Sequence, residues 1–97
     1  MGESKVGERH MRFLEVLDEV ALGDISGVAS VYRCAERLGL DFVGKEADRE
    51  EIVGLVRDLQ EAGYAKIAAG VREVNAERLA LGGISLTEDG RSRIQAS

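Results

Sequence analysis

The sequence predicts a mainly α-helical α+β domain: three helices, a small antiparallel β-hairpin packed at the end of the third, and a short closing helix. Three observations predict it. Apolar residues recur at spacings of three and four through three segments before Ala62, which is the period of a helix with one buried face. Glycines at 23, 39 and 63 follow those segments, and a chain without proline must take its helix stops from glycine. Beyond Gly63 the pattern shifts to short β-type runs at Tyr64–Ile67 and Ile84–Thr87, the signature of strands.

Residues 1–7 read as a flexible arm, and residues 8–97 as one domain, because 97 residues suit a single core. Glu8 to Leu22 is the first helix. Phe13, Leu14, Leu17, Val20 and Ala21 form its stripe, Arg9, Arg12, Glu15, Asp18 and Glu19 its wet side, and Gly23 offers the stop. A second helix is expected from Asp24 or Ser26 as cap through Ile25, Val28, Tyr32, Ala35 and Leu38. Gly39 closes it, and Leu40 folds back on its last turn.

Residues 40–47 read as a loop, with a short strand as an alternative. Its large apolar residues, Phe42 and Val43, plug the core from the side. The third helix is expected from Asp48 to Ala62. Asp48 and Glu51 have the spacing of a cap and its return partner, and Ile52, Leu55, Val56 and Leu59 recur at i, i+3, i+4 and i+7. Gly63 supplies a left-handed end, and Tyr64–Ile67 begins the hairpin. Residues 70–82 allow two readings: a hairpin loop whose return strand starts near Arg78, or a helical turn through Val71–Arg78. Ile84–Thr87 is the return strand. Glu88–Ser97 is the closing helix, capped by Thr87 or Asp89. Three helices with such a hairpin make a winged-helix arrangement.

Composition narrows the functions. At 44% hydrophobic and 32% charged, the chain has the make-up of a soluble globule. A single cysteine, Cys34, excludes an internal disulfide and fits a reducing compartment. The N-terminal residues lack a signal-peptide core, and no apolar run approaches a membrane span. A cytoplasmic protein without a membrane is expected. Net charge is −5. Residues 1–63 carry 8 Lys/Arg against 14 Asp/Glu, and residues 64–97 carry 5 against 4. Any basic surface for phosphate must therefore be local.

An enzyme is not expected. His10 is the sole histidine and Cys34 the sole cysteine, so neither a zinc set nor an oriented Cys–His pair can be assembled from motif spacing. Cys34 reads as a small core hydrophobe. Gly82-Gly83 lacks the Lys-Ser/Thr of a phosphate loop. No cofactor is implied.

Two stretches carry a family resemblance. Leu55–Ile67, LVRDLQEAGYAKI, resembles the end of the recognition helix and the first wing strand of winged-helix regulators of the MarR-like and PadR-like kind. Ile84–Ile94, ISLTEDGRSRI, resembles their second wing strand and its turn into the closing helix. Cys34–Asp41, CAERLGLD, is similar to the positioning helix of a helix-turn-helix. The resemblance implies a transcription regulator that contacts duplex DNA through the third helix and wing. It also implies a homodimer through the terminal helices, for which Val6, Phe13 and Ile94 are candidates.

The DNA contacts would be Arg49, Arg57 and Gln60 on the third helix and Lys66, Arg72 and Arg78 in the wing, since arginine suits phosphates and narrow grooves. The residues themselves also support a second reading. With the Ile52/Leu55/Val56/Leu59 stripe turned inward, the third helix turns Glu50, Gly54, Arg57 and Glu61 outward. Carboxylates repel phosphate, and that face suits a protein partner better than a base edge. In this reading the domain is a protein–protein interaction module, and the loop residues Ala69, Gly70 and Val71 and the run Leu79–Leu81 are further candidate contacts.

Overall fold

A computed structural model describes residues 7–23, 27–67 and 73–96. The order is α1 (Glu8–Leu22), α2 (Val31–Leu38), α3 (Glu46–Glu61), β1 (Ala65–Ile67), α4 (Ala76–Gly82), β2 (Ile84–Leu86) and α5 (Glu88–Ala96). This is a small α+β fold: helices in sequence, then an antiparallel pair in which Ala65 faces Leu86, Lys66 faces Ser85 and Ile67 faces Ile84.

The core forms where the helical stripes meet the hairpin. Phe13, Leu14, Leu17, Ile52, Leu59, Ile67, Leu79 and Ile84 are fully buried, each worth about 1.5–3 kcal/mol in transfer free energy. Phe13 therefore belongs to the core and is not available to a dimer interface. Ile94 is half-buried against the same cluster, and Val6 lies outside the described residues.

α1 has the expected bounds, and Gly23 is its C-cap as expected. Gly23 adopts right-handed angles, φ −83°, so the helix stops without a left-handed turn. The expected start of the second helix is corrected. Asp24, Ile25 and Ser26 lie outside the described residues. Gly27 then takes φ +73°, which ends any continuous helical path, and Ala29 exchanges two backbone hydrogen bonds with Ile84, at 2.8 and 2.9 Å. The apolar Val28–Ala29 pair thus feeds the sheet. α2 begins only at Val31.

α2 and α3 end alike. Gly39 and Gly63 are left-handed, at φ +74° and +83°. Leu40 N–H donates to Ala35 O and Gly39 N–H to Glu36 O; Tyr64 N–H donates to Leu59 O and Gly63 N–H to Gln60 O. Both are Schellman turns, and the fold-back expected of Leu40 is present. Between the helices, residues 41–44 form a turn, not a strand. Asp41 Oδ1 accepts from Gly44 N–H at 2.7 Å. Phe42 is buried and meets Tyr32 edge-on at 5.6 Å, whereas Val43 is exposed.

α3 starts two residues earlier than expected, with Lys45 in the cap position. Asp48 lies in its first turn and does not cap it. The Asp48 carboxylate accepts instead from Asp41 N–H at 2.9 Å, pinning the preceding turn. No strand starts near Arg78: residues 73–75 are a short loop that leads into α4, which shares only residues 76–78 with the helical turn expected through Val71–Arg78. Asn75 caps it, accepting from Arg78 N–H at 2.9 Å, and Leu79 anchors it in the core.

The closing helix is tied to the end of α3. Thr87 donates its hydroxyl to Gly63 O at 2.6 Å and accepts from Gly90 N–H at 3.0 Å, while its own N–H donates to Tyr64 O at 3.1 Å. Thr87 is thus the cap, and Asp89 lies inside the helix.

Candidate interaction face

α3 places its functional candidates by its own period. Burial of Ile52, Leu55, Val56 and Leu59 fixes the rotation of the helix, and that rotation turns Glu46, Glu50, Arg57 and Glu61 to solvent. Toward α1 the acids are matched. Arg9 pairs with Glu51, and His10 Nε2 lies 2.8 Å from Asp58 Oδ2. On the outer face the balance is different, since three of those four charged groups are carboxylates.

The two α3 arginines expected to meet phosphate also serve the protein's own backbone. Arg49 Nη1 donates to the carbonyls of Phe42 and Val43, at 3.3 and 3.1 Å, and so braces the turn before α3. Arg57 Nη2 donates to Val74 O at 3.3 Å and holds the approach to α4. Gln60 is half-buried, with its side-chain oxygen shut off from solvent. Lys66 on β1 and Arg78 on α4 are exposed. Arg72 lies outside the described residues. Of the five described candidates, Arg57, Lys66 and Arg78 are exposed, and Arg49 and Gln60 are half-buried.

α3 and the start of α4 enclose a groove of about 470 Å³. Glu46, Glu50, Arg49 and Arg57 wall it, and Val53 and Ala76 supply apolar lining. Its lining is balanced in charge, two carboxylates against two guanidinia, but both arginines already donate to backbone carbonyls. Of the residues proposed for protein contact, Leu81 is exposed, Ala80 is half-buried and Leu79 is in the core; Ala69, Gly70 and Val71 lie outside the described residues.

The His10–Asp58 contact escaped the sequence because the partners are 48 residues apart. His10 also accepts at Nδ1 from Gly7 N–H, 3.1 Å away, so one imidazole caps α1 and clamps it to α3. Cys34 is fully buried, and that burial pushes its thiol up to about 12, against a smaller opposite pull from Arg37. A thiol held protonated in this way is a poor nucleophile at neutral pH. Among the described residues, no group of three His, Cys, Asp or Glu side chains could hold a metal, and no helix is long and apolar enough to cross a membrane.

No protein-family model, no curated protein and no solved structure matches the chain significantly.

Proposed function

We propose that the chain is a winged-helix module that docks a basic protein segment on the outer face of α3. The winged-helix reading is supported by the element order and by the Ala29–Ile84 bridge. That single bridge places an extended residue between the first two helices beside β2 of the two-stranded sheet. The observation that carries the partner is the exposed acid of α3, with Glu46, Glu50 and Glu61 outward and its two arginines donating to backbone carbonyls. The hairpin connection argues the same way. A wing must stand clear of the domain to reach a duplex, whereas the described part of the connection is held down: Leu79 is fully buried and Arg57 holds the chain at Val74.

The test is fluorescence anisotropy with two labelled probes at low and moderate salt: a mixed-sequence DNA duplex and an arginine/lysine-rich peptide. The peptide is expected to bind with salt sensitivity, and to lose binding when Glu46, Glu50 and Glu61 are all changed to Gln. The duplex is expected to stay free. Steep, salt-dependent duplex binding would overturn the reading.

That outcome would favour a second reading, duplex DNA contacted by the exposed Lys66 and Arg78. Replacing both by Ala should then lower the salt slope by about one for each phosphate no longer neutralised. A homodimer through the terminal helices has less support, since Phe13 is unavailable.

A further inference from the structure

A second concavity lies where α1, the end of α2 and α3 meet. It encloses about 390 Å³, and its lining includes Arg9, Arg12 and Arg37 together with Leu38, Leu40 and Leu55. Among the described residues, the only acid in that lining is Glu51. The lining thus gathers three guanidinia in a chain of net charge −5, with Glu15 and Glu19 next to Arg12 and Arg37 outside it.

The guanidinia retain donors for a ligand. Each has five N–H groups. Arg9 engages Glu51, and Arg37 Nη1 donates to Glu19 at 2.8 Å. These pairings leave most donors unused and steady the long side chains. Arg12 approaches Glu15 only to 3.8 Å, beyond hydrogen-bond reach. Helix dipoles do not decide the matter. The first turn of α1 favours an anion, the last turn of α2 opposes it, and the two are of similar size. The guanidinia decide, because arginine pairs with phosphate through two parallel hydrogen bonds.

We propose that this pocket binds a phosphate monoester with an apolar body. The three arginines would take the dianionic head through their unused N–H donors. The leucines would cover the apolar body. Neither a bare anion nor a neutral hydrocarbon uses both halves of the pocket.

The test is a titration of the isotope-labelled protein followed by backbone amide shifts, at low salt. The probes are phenyl phosphate, inorganic phosphate and phenol. Phenyl phosphate is expected to saturate shifts around residues 9–12 and 37–41. It should bind at least about tenfold tighter than inorganic phosphate, the worth of roughly two buried methylenes. Phenol should not saturate. Combining Arg12→Ala with Arg37→Ala should weaken phenyl phosphate at least about tenfold, since hydrogen bonds to charged groups are among the strong ones. Replacing the same two arginines by Lys keeps the charge, loses the fork and should give an intermediate loss. Three results would each overturn the proposal: shifts that never saturate, equal affinity for inorganic phosphate, or unchanged affinity in the double alanine variant.

Discussion

Gly90 offers the sharpest test of the fold. It is buried in the first half of α5, and a Cβ placed on it would collide with the carbonyl oxygen of Tyr64, with the Tyr64 carbonyl carbon at 3.0 Å and Leu86 Cδ2 at 3.1 Å. The obstacle is backbone, which cannot swing aside as a side chain does. Gly90→Ala must therefore push α5 away from the end of α3. Overpacking of this kind costs about 1–3 kcal/mol. The shift would also stretch the Thr87 cap and the Thr87–Tyr64 bond, for about 1 kcal/mol more. Higher helix propensity returns up to about 1 kcal/mol. The net expectation is a loss of about 2 kcal/mol and a fall in Tm of roughly 8–16 °C for a domain of this size. Urea denaturation followed by circular dichroism measures it. Gly54→Ala is the matched control: Gly54 lies in α3 with nothing within 4 Å of its would-be Cβ, so that substitution should stabilise by up to about 1 kcal/mol. A Gly90→Ala protein as stable as the parent would refute the reasoning, because the close approach would then carry no energy.

Three further outcomes rest on particular side chains. Cys34 should resist a disulfide reagent at pH 8 in the native protein and react at once in denaturant. Because its folded value of about 12 lies above the ordinary value of 9.0, its contribution to stability is whole below pH 9 and fades as pH rises from 9 toward 12; comparing the parent with Cys34→Ala across that range isolates it. In a double-mutant cycle of His10→Ala and Asp58→Asn, the coupling should be about 0.5–1 kcal/mol at neutral pH, and zero coupling would mean that the 2.8 Å approach does not clamp α1 to α3. Asn75→Ala should cost about 1 kcal/mol through its cap, with faster hydrogen exchange in α4 than in α1.

Local chemistry made much of this molecule readable. The bounds of α1 follow from its stripe, the ends of α2 and α3 from Gly39 and Gly63, and the start of α5 from Thr87. What stayed hidden depends on partners far along the chain. Val28 and Tyr32 sit at helical spacing, but Ala29 bonds to Ile84, far along the sequence in the second strand. Asp48 has the composition of a cap, yet it serves the Asp41 turn. The proposed site shows the same division. Outward placement of Glu50, Arg57 and Glu61 follows from period alone. The engagement of Arg49 and Arg57 with carbonyls does not, because it depends on where the Phe42–Val43 turn and the Val74 approach to α4 come to rest.

The bridge between Ala29 and Ile84 bears on self-association of a different kind. Open strand edges invite pairing with another chain and so promote aggregation. At Ile84, β2 has a neighbour on each side, Ile67 and Ala29, and β1 forms the other border of the pair. That border is only three residues long, and its middle residue is the exposed Lys66. A short edge with a central lysine is a poor template for a growing stack of strands. Lys66 thus has a reason to be charged without any ligand at all, and neutralising it should show first as turbidity on prolonged warming.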